Sequence, residues 1–227
     1  MDLTLQSALA VLEVVWVNII LSGDNAVVIA MACRGLPPKQ RRMGIVLGSA
    51  VAVLLRVVFT LIVVKLLQTP FLRIAGSVLL LWVAVKLVAE DGDEGDDIKA
   101  SDKLLHAVWT VAVADMVMSL DNVLAIAAVA KDNMAMLVFG LLISIPLIVA
   151  GATLIMSLLA RFPILVWAGA GLLGWVAGEM LDADPWLVQR FGEELLHRLE
   201  LPLAIAGTLI VLALGWLLKR RHATPAA

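Results

Sequence analysis

The chain has 227 residues, of which 62% are hydrophobic and only 16% are charged, and its mean hydropathy is +1.02. Soluble domains have about 45–50% apolar and about 25% charged residues, so this composition excludes an ordinary soluble domain. The net charge of −2 excludes a nucleic-acid partner, because no basic surface is available to neutralise phosphates. A single cysteine and three histidines exclude an internal disulfide and argue against a Cys/His zinc site.

Seven apolar runs follow one another along the chain, each near the length of about 20 residues that crosses a bilayer as a helix. The first run has no basic segment before it, so we expect it to stay in the membrane rather than to be a cleaved signal peptide. The acidic stretch 90–97 separates the third run from the fourth and is predicted to be a solvated loop. The predicted spans are 5–32, 43–66, 71–89, 104–130, 134–159, 164–181 and 201–218.

The distribution of Lys and Arg predicts the orientation of the chain. These residues are in excess in the loops that lie inside when the N-terminus is outside, which places the C-terminus in the cytoplasm. We therefore expect a multi-pass protein of the prokaryotic inner (plasma) membrane. The stretch 184–200 mixes Trp, Phe and Leu with charged residues and predicts a short amphipathic helix on the outer surface.

The first and fourth runs contain nearly the same sequence. Residues 18–30 read NIILSGDNAVVIA and residues 115–127 read DMVMSLDNVLAIA, and the third and sixth runs also repeat with Pro, Gly and Trp in register. Because the repeating unit has three spans, the second copy must enter the membrane in the opposite direction. The sequence therefore predicts an all-α polytopic membrane protein with about seven transmembrane helices, in which an inverted 3+3 helix repeat is followed by one extra helix.

The predicted organisation has four parts. Residues 1–89 form the first three-helix repeat, and residues 90–103 form an acidic cytoplasmic loop. Residues 104–182 form the second, inverted repeat. Residues 183–227 comprise the surface amphipathic segment and the seventh transmembrane helix.

Each repeat places an Asp-Asn pair near the bilayer midplane. Asp24 precedes Arg34 by the same number of residues as Asp121 precedes Lys131, and both basic residues mark a membrane boundary. At about 1.5 Å per helical residue, each aspartate therefore lies about 15 Å from that boundary. A carboxylate at that depth costs at least about 2.5–3.5 kcal/mol, so two of them need protons, cations or each other for compensation. The alternative is a purely structural role, in which both Asp-Asn pairs are protonated or join helices by hydrogen bonds.

The residue types around these pairs favour a cation site. Carboxylate and amide oxygens suit Mg²⁺, Ca²⁺ and Mn²⁺, whereas copper and zinc sites usually draw on thiolate or imidazole ligands. No His or Cys lies near the two motifs. The expected ligand set is Asp24, Asn25, Asp115, Asp121 and Asn122, with Asn18, Ser22 and Ser119 nearby.

Two further charged residues are candidates for gating or coupling. Arg56 falls within the second run and must find a carboxylate or a water-filled cavity, so we expect it either to pair with Glu13 or to occlude the cation site. Glu13 lies about 16 Å nearer the outer surface than Asp24, where it is either an entry site or a wet interfacial residue.

At these residues the chain resembles the TerC family of integral membrane proteins, which is placed in the LysE-type transporter grouping. The resemblance covers about residues 5–182 and rests on SGDNA at 22–26, SLDNV at 119–123 and GLPPKQRR at 35–42. Members have been linked to manganese export and to supplying metal to exported proteins, so the resemblance implies efflux of a metal ion, foremost Mn²⁺. Some members carry Asp where this chain has Asn18, so its two half-sites differ in charge.

These features predict a membrane transporter, not an enzyme, that exports a divalent metal cation by alternating access around the two Asp-Asn motifs, with proton exchange as the natural coupling. The absence of a nucleotide-binding motif argues against an ATP-driven pump. The alternatives are an accessory membrane protein that supplies metal to exported proteins or assists a pump, and an intramembrane aspartyl protease. The expected partners are the lipid bilayer, the metal ion and protons, with a homo-oligomer or exported metalloproteins as further alternatives.

Overall fold

A computed structural model describes residues 23–67, 69–89, 100–130 and 134–222; within them, the side chains at 60–67, 100–102, 120–130, 134–140, 143–144 and 221–222 are left undescribed. This part of the chain forms eight α-helices and no strand. The all-α prediction is therefore confirmed. The helices are α1 (Gly23–Cys33), α2 (Pro38–Leu67), α3 (Leu72–Ala89), α4 (Ala100–Ala130), α5 (Met134–Arg161), α6 (Ile164–Glu179), α7 (Pro185–Phe191) and α8 (Glu193–His222).

The lengths and composition of these helices agree with a polytopic membrane protein. Among the described residues, Pro38–Phe59, Leu72–Ala89 and Glu193–Arg220 are long and apolar enough to cross a membrane. Shorter apolar segments occupy Gly23–Cys33, Ile145–Arg161 and Ile164–Glu179. The acidic stretch 90–97 lies outside the described residues, as do the first 22 positions.

The two repeats contact each other in a symmetric pattern. Helix α2 packs along α4, and its counterpart α5 packs along α1; α3 contacts α4, and its counterpart α6 contacts α1. Helices α1 and α4, α2 and α5, and α3 and α6 also meet in pairs. Exchanging the two halves leaves this list unchanged, which is the arrangement that two halves related by a two-fold axis produce.

The stretch predicted as one amphipathic surface helix consists of two pieces. Helix α7 ends at Phe191, and Gly192 takes a φ of 84°, a left-handed conformation that glycine adopts without a steric penalty. Helix α8 then begins at Glu193 and continues through the predicted seventh span to His222. The second half of the amphipathic stretch is thus the first part of the last membrane helix.

Asp184 anchors this region to the start of α3. Its carboxylate is fully buried and accepts hydrogen bonds from the backbone N–H groups of Phe71, Arg73, Ile74 and Trp186. The one side chain therefore satisfies N–H groups at the beginnings of both α3 and α7, where a helix lacks its own acceptors. The rings of Phe71 and Trp186 also contact each other between the beginnings of α3 and α7, with their centroids 5.0 Å apart.

Helix α8 lies outside the repeat and is attached to α6 through small residues. A methyl group on Gly174 would lie 2.6 Å from the carbonyl oxygen of Gly207, and one on Gly178 would collide with the carbonyl of Leu203. The hydroxyl of Thr208 donates to the carbonyl oxygen of Gly171. The two backbones therefore approach closely, as small residues allow in membrane helices.

A series of glycine substitutions in α6 tests this attachment. Gly174→Ala and Gly178→Ala are expected to lower the free energy of unfolding of the detergent-solubilised protein by about 1–3 kcal/mol, and with it the melting temperature. The reason is that the added methyl group would meet rigid backbone. Gly171→Ala is the matched control, since its methyl group would lie 3.5 Å from a side-chain methyl of Thr208, which is ordinary van der Waals contact. Equal melting temperatures for all three variants would contradict close backbone packing between α6 and α8.

Candidate metal centre

The centre of the molecule holds a buried ion pair between the two repeats. Arg56 on α2 places Nη2 3.4 Å from Oδ1 of Asp115 on α4, and both side chains are only 2% exposed. The second carboxylate oxygen of Asp115 accepts a hydrogen bond of 3.1 Å from the hydroxyl of Ser119, one turn later on the same helix. Both oxygens of Asp115 are therefore engaged.

Helix α1 brings the first Asp-Asn pair to this ion pair. Asp24 interacts electrostatically with both Arg56 and Asp115, so these three charges form one group. The Asp24 carboxylate also accepts a hydrogen bond of 2.7 Å from the backbone N–H of Asn25. Helix α1, which begins with this Asp-Asn pair, packs against α4 and α5 in the second half of the protein.

The side chain of Asn25 is buried, with 4% exposed, and its Oδ1 accepts no hydrogen bond. A buried polar atom without a partner costs about 1–3 kcal/mol, so such atoms are rare and call for an explanation. Binding of a metal ion offers one, because amide oxygens are ligands of hard divalent cations. The orphaned oxygen is therefore a candidate metal ligand.

Ser49 supplies a second oxygen of the same kind. Its side chain is fully buried on α2, and its Oγ has no hydrogen-bond partner. It lies two helical turns before Arg56 and so on the same face of the helix. Sequence reasoning missed Ser49; its spacing from Arg56 within an apolar run is the signal that could have identified it.

Four of the eight predicted ligands have side chains that the structure describes. Asp24, Asn25, Asp115 and Ser119 are described, and electrostatic interactions and hydrogen bonds connect Asp24 and Ser119 to Asp115. The backbone at Asp121 and Asn122 belongs to α4, but their side chains are not described. Asn18, Ser22 and Glu13 lie outside the described residues.

The partner of Arg56 is a finding of the tertiary structure. The structure shows Arg56 bound to Asp115, a contact that was not predicted from the sequence. Pairing with Glu13 and occlusion of the cation site stay predictions, since Glu13 lies outside the described residues. Among the described residues of the centre, two carboxylates thus face one guanidinium. The negative charge that remains can be compensated by a cation.

Comparison with known proteins identifies the family of this chain. The model of the integral membrane protein TerC family matches residues 3–223. The chain is 44% identical over 176 residues to the "Uncharacterized membrane protein YjbE" of Bacillus subtilis (strain 168), covering 78% of this chain and 80% of that protein. It is 25% identical over 212 residues to the "Uncharacterized membrane protein YceF" of the same organism, covering 89% and 80% of the two chains.

No solved structure matches the chain significantly. The family match covers almost the whole sequence, including both Asp-Asn motifs, the Arg56–Asp115 pair and the last membrane helix. The chain belongs to the TerC family of integral membrane proteins.

Proposed function

We propose that this protein is a secondary transporter that exports a divalent metal cation, Mn²⁺ foremost, through the centre formed by Asp24, Asn25 and Asp115. The observation that carries the proposal is the buried amide oxygen of Asn25, which has no hydrogen bond and lies in the motif beside Asp24. A group needed only to join helices would have its hydrogen bonds satisfied within the protein.

The available ligands favour a hard cation. Asp24 and Asp115 offer carboxylate oxygens, and Asn25 offers an amide oxygen. Carboxylate and carbonyl oxygens suit Mg²⁺, Ca²⁺ and Mn²⁺ better than Cu⁺ or Zn²⁺. The family resemblance favours Mn²⁺ within this group.

In this proposal the guanidinium of Arg56 compensates the charge of Asp115 when no metal ion is bound. Its contact of 3.4 Å with Asp115 is longer than the usual length of about 2.7–2.9 Å for a hydrogen bond between ionised groups. A divalent ion that binds Asp115 can therefore displace the guanidinium, and the guanidinium returns when the ion leaves. Asp115 is then never buried without a compensating charge, which matters because an uncompensated buried charge is strongly destabilising.

The position of the centre suits alternating access. Arg56 belongs to the first repeat and Asp115 to the second, so relative movement of the repeats alters the ligand set. Carboxylates that release a metal ion can accept protons, which makes exchange of protons for metal the natural coupling.

The proposal is tested by measuring Mn²⁺ flux in proteoliposomes with and without a pH gradient. Wild-type protein is expected to transport Mn²⁺, and Asp24→Asn is expected to reduce the flux about 10–100-fold because it removes a ligand charge. Glu194→Gln, which alters an exposed carboxylate paired with Arg198, is the control. Absence of flux from folded wild-type protein would refute autonomous transport and favour a role in handing metal to other proteins.

A further inference from the structure

A second group of metal-ligating side chains lies at the junction between α6 and α8. Asp182 is in the turn that follows α6, and His197 and Glu200 are near the start of α8. One ligand atom from each residue lies within 4.8 Å of the ligand atoms of the other two. Within the group, Nδ1 of His197 is 3.2 Å from a carboxylate oxygen of Glu200.

The backbone holds these three residues in place. Gly178, four residues before Asp182, packs directly on the carbonyl of Leu203, three residues after Glu200. The contact between the two backbones therefore sets the distance between the segments that carry the ligands. In addition, the N–H of Asp182 donates to the carbonyl of Glu179 within the turn. Ligands carried on closely packed backbone lose little freedom when they bind an ion.

We infer that Asp182, His197 and Glu200 form a second, solvent-facing binding site for a first-row divalent transition-metal ion. An imidazole nitrogen selects transition metals over Mg²⁺ and Ca²⁺, and two carboxylates supply the charge that a divalent ion requires. His197 is 81% exposed and Glu200 is 41% exposed, so an ion can enter from solution and complete its coordination shell with water.

A helical His–Glu pair alone does not account for the cluster. His197 and Glu200 are three residues apart on one helix face and would meet in any such helix. Asp182 reaches the same point from a different segment, which brings two carboxylates close together. A divalent cation bound at this point would interact favourably with both carboxylates.

This site is separate from the proposed transport centre and shares no residue with it. On the predicted topology the junction of α6 and α8 faces the outside of the cell, where an exported ion would emerge. The inference does not rest on transport, because the site is assigned from its own ligands and their geometry.

The test is a Co²⁺ titration of the full-length protein in detergent, followed by visible absorption and by calorimetry. The titration uses the Asp24→Asn background, which weakens the central site. His197→Gln and Asp182→Asn are each expected to lower Co²⁺ affinity about tenfold or more, and His197→Gln to remove the absorption bands of an imidazole-bound ion. Glu194→Gln is the matched control, because this neighbouring carboxylate is 84% exposed and pairs with Arg198 outside the cluster.

Equal Co²⁺ affinity in His197→Gln and Glu194→Gln would overturn the site. Loss of binding in His197→Gln with full binding in Asp182→Asn would also overturn it, since the ligands would then be only the helical pair. Melting temperatures of all variants without metal verify that they are folded. Because binding is measured in protein with an impaired transport centre, failure of this site is distinguishable from failure of the transport proposal.

Discussion

Asp115→Asn is expected to abolish Mn²⁺ transport and to destabilise the protein strongly. The substitution removes one of the carboxylates that interact with Arg56, whose side chain is only 2% exposed, and so reduces the compensation of a buried charge. Breaking a buried ion pair from one side costs about 3–5 kcal/mol, far more than the pair contributes when intact. The loss is measured by thermal unfolding in detergent and by flux in proteoliposomes.

The double variant Asp115→Asn/Arg56→Gln separates the two effects. With both charges of the pair removed, the amide side chains remain able to form a hydrogen bond, but Asp24 loses its interaction with Arg56. The melting temperature is therefore expected to recover part of the loss. Transport is expected to stay about 100-fold or more below wild type, because the carboxylate ligand is still missing. Recovery of both stability and flux in the double variant would show that Asp115 serves only to pair with Arg56.

Asn25→Leu is expected to eliminate transport while leaving the fold intact. The amide oxygen of Asn25 is buried and accepts no hydrogen bond, so removing it relieves a cost of about 1–3 kcal/mol. Leucine has the same branching at Cγ and carries no polar atom that needs a hydrogen bond, so the melting temperature is expected to stay equal or to rise. Metal affinity is expected to fall about 10–100-fold with the loss of an oxygen ligand.

Ser77→Ala is the contrasting control for Asn25. Ser77 is also buried, but its hydroxyl donates a hydrogen bond to the carbonyl of Ala177 across the two repeats. Removing that hydroxyl leaves the carbonyl without this donor and is expected to lower stability by about 1 kcal/mol while flux per folded molecule is retained. A marked loss of stability in Asn25→Leu, with metal affinity unchanged, would make Asn25 a structural residue.

The helices were predictable because their signals are local. Pro70, Pro163 and the 34–37 turn separate apolar runs, and the predicted spans agree with α2 to α6 to within a few residues at most ends. The repeat was predictable for the same reason, since it is a comparison of one segment with another. The break at Gly192 was missed, because an amphipathic pattern does not reveal a single residue with left-handed backbone.

The candidate centre was predictable in its residue types but not in its pairings. Ionisable groups in an apolar run are costly wherever they occur, so Asp24, Asp115 and Arg56 stand out in the sequence. The partner of Arg56 depends on how α2 and α4 are rotated about their axes, and hydrophobic periodicity is uninformative for helices that are apolar on all sides.

The sequence by itself thus determined the membrane class, the helix order, the repeat and the presence of buried charges, because composition, length and motif identity are properties of the chain. Only the tertiary structure decided that Arg56 meets Asp115, that the oxygens of Asn25 and Ser49 lack partners, and that Asp182 joins His197 and Glu200. These are contacts between segments distant in sequence, and they depend on the rotation and close approach of packed helices, which no local pattern encodes.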